Sequence, residues 1–337
     1  MKVFGKEITT RQAEYLLKIS KNKYIKGHGL FFSWDHNFLS PFEKLFDEQN
    51  YTYNERDLNS DGVERAVRNI LKTGNPKAAF YAAAVLKDSK LRIEPYEEII
   101  IEREDYEAQI AYLATYDTPR AQEIADCIAD SGFAHYNLAL IMNCPNIEDV
   151  SRNVDVVYRH GSTRELVNLA KYVKDVGMEE IRQKVLKKGD ARANYLFANF
   201  IAKRYITKDG SPYCAHPESE INEIYDFYSQ FKPSTREVMI AEHRKVVKDS
   251  KDVKHCYKLA LNDVFDEKTG KRVFNDFAEL EDIVLNSYEA EYMVKFATKV
   301  KGADTAKHIE RLEKIGEIDL AQELELSLAT RNFFQNN

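Results

Sequence analysis

The chain has 337 residues, 44% of them hydrophobic and 31% charged, and a formal net charge of −6. That acidic balance excludes a global attraction to phosphate backbones or anionic lipid, so any nucleic-acid surface would have to be local. Four scattered cysteines, Cys127, Cys144, Cys214 and Cys256, form no CxxC pair and exclude a zinc ribbon or a disulfide framework, while 13 Gly and 8 Pro favour helix over sheet.

The first residues, MKVFGKEITTRQAEYLL, lack the apolar core of a signal peptide, and no stretch has the apolar length needed to cross a bilayer. A cytoplasmic protein without membrane contact is expected. Thr9 and Gln12 have capping-box spacing before a helix over Gln12–Ile19, and Ser40-Pro41 starts a second helix running to Gln49. Residues 1–60 carry no repeat and are expected to form an N-terminal helical cap.

From Asp61, with Glu64 three residues on, the pattern predicts a helix over Val63–Leu71, a turn at Gly74-Asn75 and a second helix over Lys77–Leu86. A helix–turn–helix pattern then recurs about every twenty-nine residues. Its second helix centres on an apolar residue followed by Ala: Ala82-Ala83, Leu113-Ala114, Leu138-Ala139, Leu169-Ala170, Phe197-Ala198, Leu259-Ala260 and Phe296-Ala297. The turns fall at Gly74-Asn75, Glu104-Asp105, Gly132, Gly161-Ser162, Gly189-Asp190, Ser250-Lys251 and Ser287. Thr118-Pro119, Ser162 with Glu165, and Ser234 with Glu237 read as further helix starts. Two short helices cannot bury their shared apolar face alone, whereas stacked neighbours continue one core, with Ala allowing close helix approach. The expected fold is all-α: a right-handed α-solenoid of short helical hairpins, HEAT/TPR-like, over residues 61–330. Insertions near 204–220 and 263–276 interrupt it, and a degenerate unit built from 221–231 and 234–247 is expected between Ala198 and Ala260. The helices from Ala306 to about Ala329 close the array.

The segment Ser287–Thr305, SYEAEYMVKFATKVKGADT, resembles a GDAxxAYxFAxxVKGAD repeat of uncharacterised bacterial and bacteriophage helical-repeat proteins. Gly189-Asp190-Ala191 and Leu169-Ala170-Lys171-Tyr172-Val173-Lys174-Asp175 carry parts of the same motif. The resemblance covers roughly 70–205 and 245–325 and implies a scaffold, with no catalytic residues to carry over.

Four groups of residues compete as sites. Trp34, Asp35 and His36, in KGHGLFFSWDHNF, could bind a base or peptide through stacking and a directing carboxylate, or the surrounding aromatics could dock the cap on the first repeat. The interrupting segment holds Tyr205, Lys208 and Tyr213 as candidate contacts, and Cys214, His216 and Glu218 as metal-ligand types short of a full zinc set. Two basic runs surround similar turns: Arg182, Lys184, Lys187, Lys188 and Arg192, and Arg244 to Lys258 with Lys251 and Lys254. They could form a phosphate-tracking ridge or be solvated helix ends. Tyr81, Tyr112, Tyr136, Tyr195 and Tyr257 precede the anchor Ala and are expected either to pack between repeats or to line a protein-binding face.

There is no GxGxxG, phosphate loop, HExxH or GxSxG. The expectation is a non-catalytic interaction or inhibitor protein, without cofactor or metal, whose partner is another protein, such as a host factor met by a phage product. The alternative is a nucleic-acid-binding helical-repeat protein of the HEAT-like DNA glycosylase type.

Overall fold

The computed structural model describes residues 1–21, 54–87, 89, 92–173, 176–202, 205–206, 212–213, 227–263, 265 and 269–335. These residues are all-helical apart from two short strand pairs and an isolated bridge. Their contacts divide the chain into two units, Met1–Gly161 and Ser162–Asn337.

The first unit opens with β1 (Lys2–Val3) and β2 (Lys6–Glu7), an antiparallel pair turned by Phe4 and Gly5, both at positive φ. Composition hid this hairpin, which needs only two residues of left-handed backbone. Helix α1 (Thr10–Lys21) starts as its capping box demands: Thr9 Oγ1 accepts from Gln12 N at 3.1 Å, and Gln12 Oε1 accepts from Thr9 N at 2.8 Å.

Three hairpins follow, α2 (Ser60–Thr73) with α3 (Pro76–Leu86), α4 (Glu94–Glu102) with α5 (Tyr106–Thr115), and α6 (Ala121–Asp130) with α7 (Ala134–Asn143), then α8 (Ser151–His160). Helix α2 begins earlier than Asp61 suggests, because Asn59 accepts from Gly62 N and acts as the cap. Glu64 is drawn away to accept from Phe4 N at 2.8 Å. Helix α3, with Asn75 as cap and Pro76 in its first turn, is apolar on nearly every side and buried accordingly. It touches α1, α2, α4 and α5; α5 in turn touches α7, α2 touches α4, and α6 touches α8.

The second unit contains α9 (Thr163–Tyr172), α10 (Met178–Lys188), α11 (Ala191–Ile201), α12 (Pro233–Asp249), α13 (Val253–Leu261), α14 (Phe277–Leu285), α15 (Ala290–Lys299), α16 (Thr305–Lys314) and α17 (Ile318–Gln335). Odd-numbered helices touch in succession from α9 to α17, and even-numbered ones from α10 to α16. Ser162 and Glu165 form the expected capping box. Ser234 caps nothing: Pro233 already occupies the first turn of α12, and Lys232 is the N-cap. The expected degenerate unit is also corrected, since 234–247 lies inside α12, which forms a hairpin with α13 around Ser250-Lys251; residues 221–226 are outside the described set.

The apolar-Ala anchors sit in the core, apart from the partly buried Ala114. Ala83, Leu138, Leu169, Ala170, Phe197 and Phe296 are at most 1% exposed. The segment after α11 contains β3 (Tyr205–Ile206) paired antiparallel with β4 (Pro212–Tyr213). The second insertion is held by charge. Arg244 pairs with Asp276 at 2.6 Å and Asp263 at 3.3 Å, and Arg272 reaches Asp263 at 2.8 Å. Arg244 and Asp263 are both buried, and the Arg244 guanidinium lies 4.6 Å from the Phe274 ring centroid.

Candidate binding surfaces at the hairpin turns

A buried side chain at the fifth position after the N-cap counted inclusively ties several hairpins together. Gln109 Nε2 donates to Ile100 O at 3.3 Å, Asn137 Nδ2 to Ile128 O at 3.0 Å and Asn194 Nδ2 to Val185 O at 3.3 Å. Cys256 Sγ points at Val247 O in the same way, at 3.7 Å. Each contact spans nine residues and ends on a carbonyl in the last turns of the first helix, two of which, Ile128 O and Val247 O, also accept from Ser131 Oγ and Ser250 Oγ. The next even-numbered helix then reaches back. Asn153 Nδ2 donates to Asn137 Oδ1 at 2.7 Å in the first unit, and His243 Nδ1 lies 2.7 Å from Asn194 Oδ1 in the second. These bonds hold the turns, where the exposed candidates lie.

Trp34, Asp35, His36, Lys208, Cys214, His216 and Glu218 lie outside the described residues. Tyr205 and Tyr213 are brought opposite each other as Cα partners across the β3–β4 pair. Lys187, Lys188 and Arg192 around the α10–α11 turn, and Lys251 and Lys254 around the α12–α13 turn, are all exposed. These two hairpins touch, and Tyr195 and His255, near the starts of α11 and α13, have ring centroids 5.7 Å apart. The structure therefore brings the two basic turns to one edge of the second unit.

Three members leave the expected ridge, Lys248 among them through Asp276 and Glu279. Arg182 is buried, bound to Glu179 and to Glu242 at 2.6 Å, and Arg244 is sequestered in the insertion network. Acidic groups also intrude on the edge: Asp190 and Asp252 cap α11 and α13 through their carboxylates. The tyrosine stripe is corrected as a surface too. Tyr81, Tyr112, Tyr195 and Tyr257 are buried and pack in the interior, and Tyr136 alone of the series is partly exposed.

An exposed aromatic cluster occupies the first unit's turns. Phe133 is 53% exposed and lies 6.3 Å from Tyr106 and 6.0 Å from Tyr136, centroid to centroid, the latter edge-on at 88°. Tyr106 and Tyr136 are 5.4 Å apart, and His135 packs on Phe133 at 5.9 Å. Beside them a shallow groove of about 450 Å³ runs over Pro76, Lys77, Arg103, Glu104 and Asp105.

No protein-family model, curated protein or solved structure matches this chain.

The cluster breaks the local rules of its own repeat. Helices α3, α5, α9, α11 and α13 have Asn75, Asp105, Ser162, Asp190 and Asp252 as N-caps whose side chains accept a backbone N–H. At the start of α7 the N-cap is Phe133, which cannot accept. The only other odd-numbered helix from α3 to α15 without a side-chain cap bond is α15, whose turn exposes Tyr288 under Arg311. Glu104 departs too: it holds φ 51°, as Lys251 holds φ 54°, where Gly74, Gly132 and Gly189 occupy equivalent left-handed positions. The missed signal was legible as an aromatic at a position reserved for Asx or Ser.

Burial governs the chemistry of the interior ionisable groups. The Cys144 and Cys256 thiols are pushed up to about 12 by burial, so at neutral pH both stay protonated and poorly nucleophilic. His243 is held down to about 3 by burial and by the nearby Arg182 cation, which keeps its imidazole neutral and fixed in a packing role.

Proposed function

We propose that the chain is a protein-binding α-solenoid, right-handed and HEAT/TPR-like, that works by gripping another protein and performs no chemistry itself. Succession of odd with odd and even with even helices supports this arrangement within each unit. The observation that carries the binding reading is the Phe133 cluster. An aromatic exposed in place of a helix cap weakens the helix start, and large, rigid rings are what protein interfaces use as anchors. The resemblance to bacteriophage repeats makes a host protein the expected partner class.

Capture from lysate by the full chain and by Phe133→Ser tests the reading. A partner enriched by the first and lost from the second, with unchanged circular dichroism, supports it. A capture profile equal to that of the bare matrix, or one indifferent to Phe133, would end it.

One observation favours a second reading. Lys187, Lys188, Arg192, Lys251 and Lys254 are exposed on touching hairpins, a geometry that suits a nucleic-acid backbone. Titration with single- and double-stranded DNA and RNA at low salt decides it: no binding removes the reading, and binding that weakens with salt and on Lys188→Glu supports it.

A further inference from the structure

We infer that the Phe133 cluster receives an arginine-bearing segment of the partner protein, the guanidinium lying over the rings and facing Glu104. The inference rests on the protein-binding reading and adds the chemistry of the ligand.

Three observations point to a planar cation. Phe133, Tyr106 and Tyr136 meet at tilted or edge-on angles, and Phe133 is half exposed, so the cluster presents aromatic surface of the kind that attracts a cation through its ring quadrupole. Carboxylates line the groove beside the rings: Glu104 is exposed, and Asp105 and Glu107 are partly so. Their field reaches the phenols, for burial and then Glu104 raise Tyr106, and burial and then Glu107 and Asp105 raise Tyr136. The local cations offset part of this field, Lys77 acting against Glu107 and Asp105 at Tyr136, and leave Glu104 as the exposed carboxylate that acts on Tyr106. Lys77 pairs with Glu107 at 2.8 Å, and the Arg103 guanidinium lies across Gly74, where a Cβ would meet its Nη2 at 3.0 Å.

Neighbouring departures from the repeat supply the third point. Glu104 holds a left-handed conformation that glycine adopts without strain, and Phe133 occupies a capping position. One contributes charge and the other an aromatic face. Arginine uses both at once, since its guanidinium stacks on a ring while its edge binds a carboxylate, which the compact ammonium of lysine does less well.

Calorimetric titration of the full chain with a capped peptide containing two arginines, and with its citrulline counterpart of the same shape but no charge, tests the inference. The arginine peptide should bind, with the citrulline peptide about tenfold weaker, and Phe133→Ser and Glu104→Gly should each weaken arginine binding by about threefold to tenfold. Glu104→Gly restores the favoured turn residue, so it guards against a loss caused by misfolding. Equal binding of the two peptides, no binding at about 1 mM arginine peptide, or no effect of either substitution would overturn the inference. If a captured partner depends on Phe133 but is not displaced by the arginine peptide, the arginine assignment falls while the protein-binding reading stands.

Discussion

His243 Nδ1 lies 2.7 Å from Asn194 Oδ1, and because the Asn194 amide nitrogen already donates to Val185 O and Asp190 O, the histidine must be the donor. The same imidazole stacks on the anchor Phe197 at 5.4 Å and 23°. Two hairpins further along the second unit, His308 stacks on the anchor Phe296 at 5.4 Å and 24°, so the arrangement recurs. Where Asn194 stands in α11, α15 has Met293, which offers no amide; His308 Nε2 instead faces Glu281 at 3.4 Å.

Acid should therefore loosen the second unit before it protonates most carboxylates. His243 titrates near its ordinary 6.5 when unfolded and near 3 when folded, so the unfolded chain binds more protons between those values. Its contribution is complete above about pH 6.5 and declines as pH falls toward 3, by up to about 1.4 kcal/mol per pH unit. Urea unfolding between pH 7 and 5 should show this slope, and His243→Asn should flatten it. An unchanged slope in the variant would contradict the assignment.

Asn137 and Asn153 should behave as one unit. Asn137→Ala removes one of the two donors to the Ile128 carbonyl, leaving it Ser131 Oγ, and one of the two acceptors of Asn153 Nδ2, leaving it Ala125 O, at a cost of about 1 kcal/mol. The double alanine variant should cost less than the sum of the singles, measurable by a double-mutant cycle in urea. Additive losses would show that the two amides act independently.

Removing Arg244 should be more damaging than removing any of the exposed lysines. Arg244→Met leaves Asp263 buried with Arg272 as its remaining described cation, and a loss of about 3–5 kcal/mol is expected. Lys251→Met, at an exposed turn, should change stability by less than about 0.5 kcal/mol. Thermal or urea unfolding of the two variants checks the contrast.

The anchor alanines define the tolerance for bulk. Ala170 is fully buried and Ala198 is 3% exposed, so leucine at either should overpack the helix contact and cost about 1–3 kcal/mol.

Phe133→Asp should separate binding from stability. A restored cap gains about 1 kcal/mol, and loss of a half-exposed ring removes a similar amount, so the net change should stay within about 1 kcal/mol while partner capture fails. A large destabilisation would mark Phe133 as a packing residue.

Much of the helical layout was legible because its causes are local. The anchors announce themselves by periodic apolar-Ala pairs, and Thr9, Asn75 and Ser162 act on backbone groups within three residues. What escaped was set at a distance. Arg182 meets Glu242 sixty residues away, and Arg244 meets Asp276 thirty-two residues away, so both read locally as members of solvated basic runs. The cap at Asn59 was hidden similarly: Gly62 sits where a Cβ would strike Asp57 O at 2.1 Å, a closeness created by the preceding 3-10 turn, Glu55–Asp57. The Phe133 cluster escaped for another reason. Its residues lie on two turns whose sequences look unrelated until one side-chain position is compared across all of them.

The nine-residue tie from the second helix to the end of the first fixes hairpin geometry from inside, without using any exposed turn side chain. Turn positions other than the helix cap and the left-handed residue before it are thereby released from structural duty. Such a chain can exchange its recognition residues one turn at a time, retargeting its surface while the interior stays unchanged.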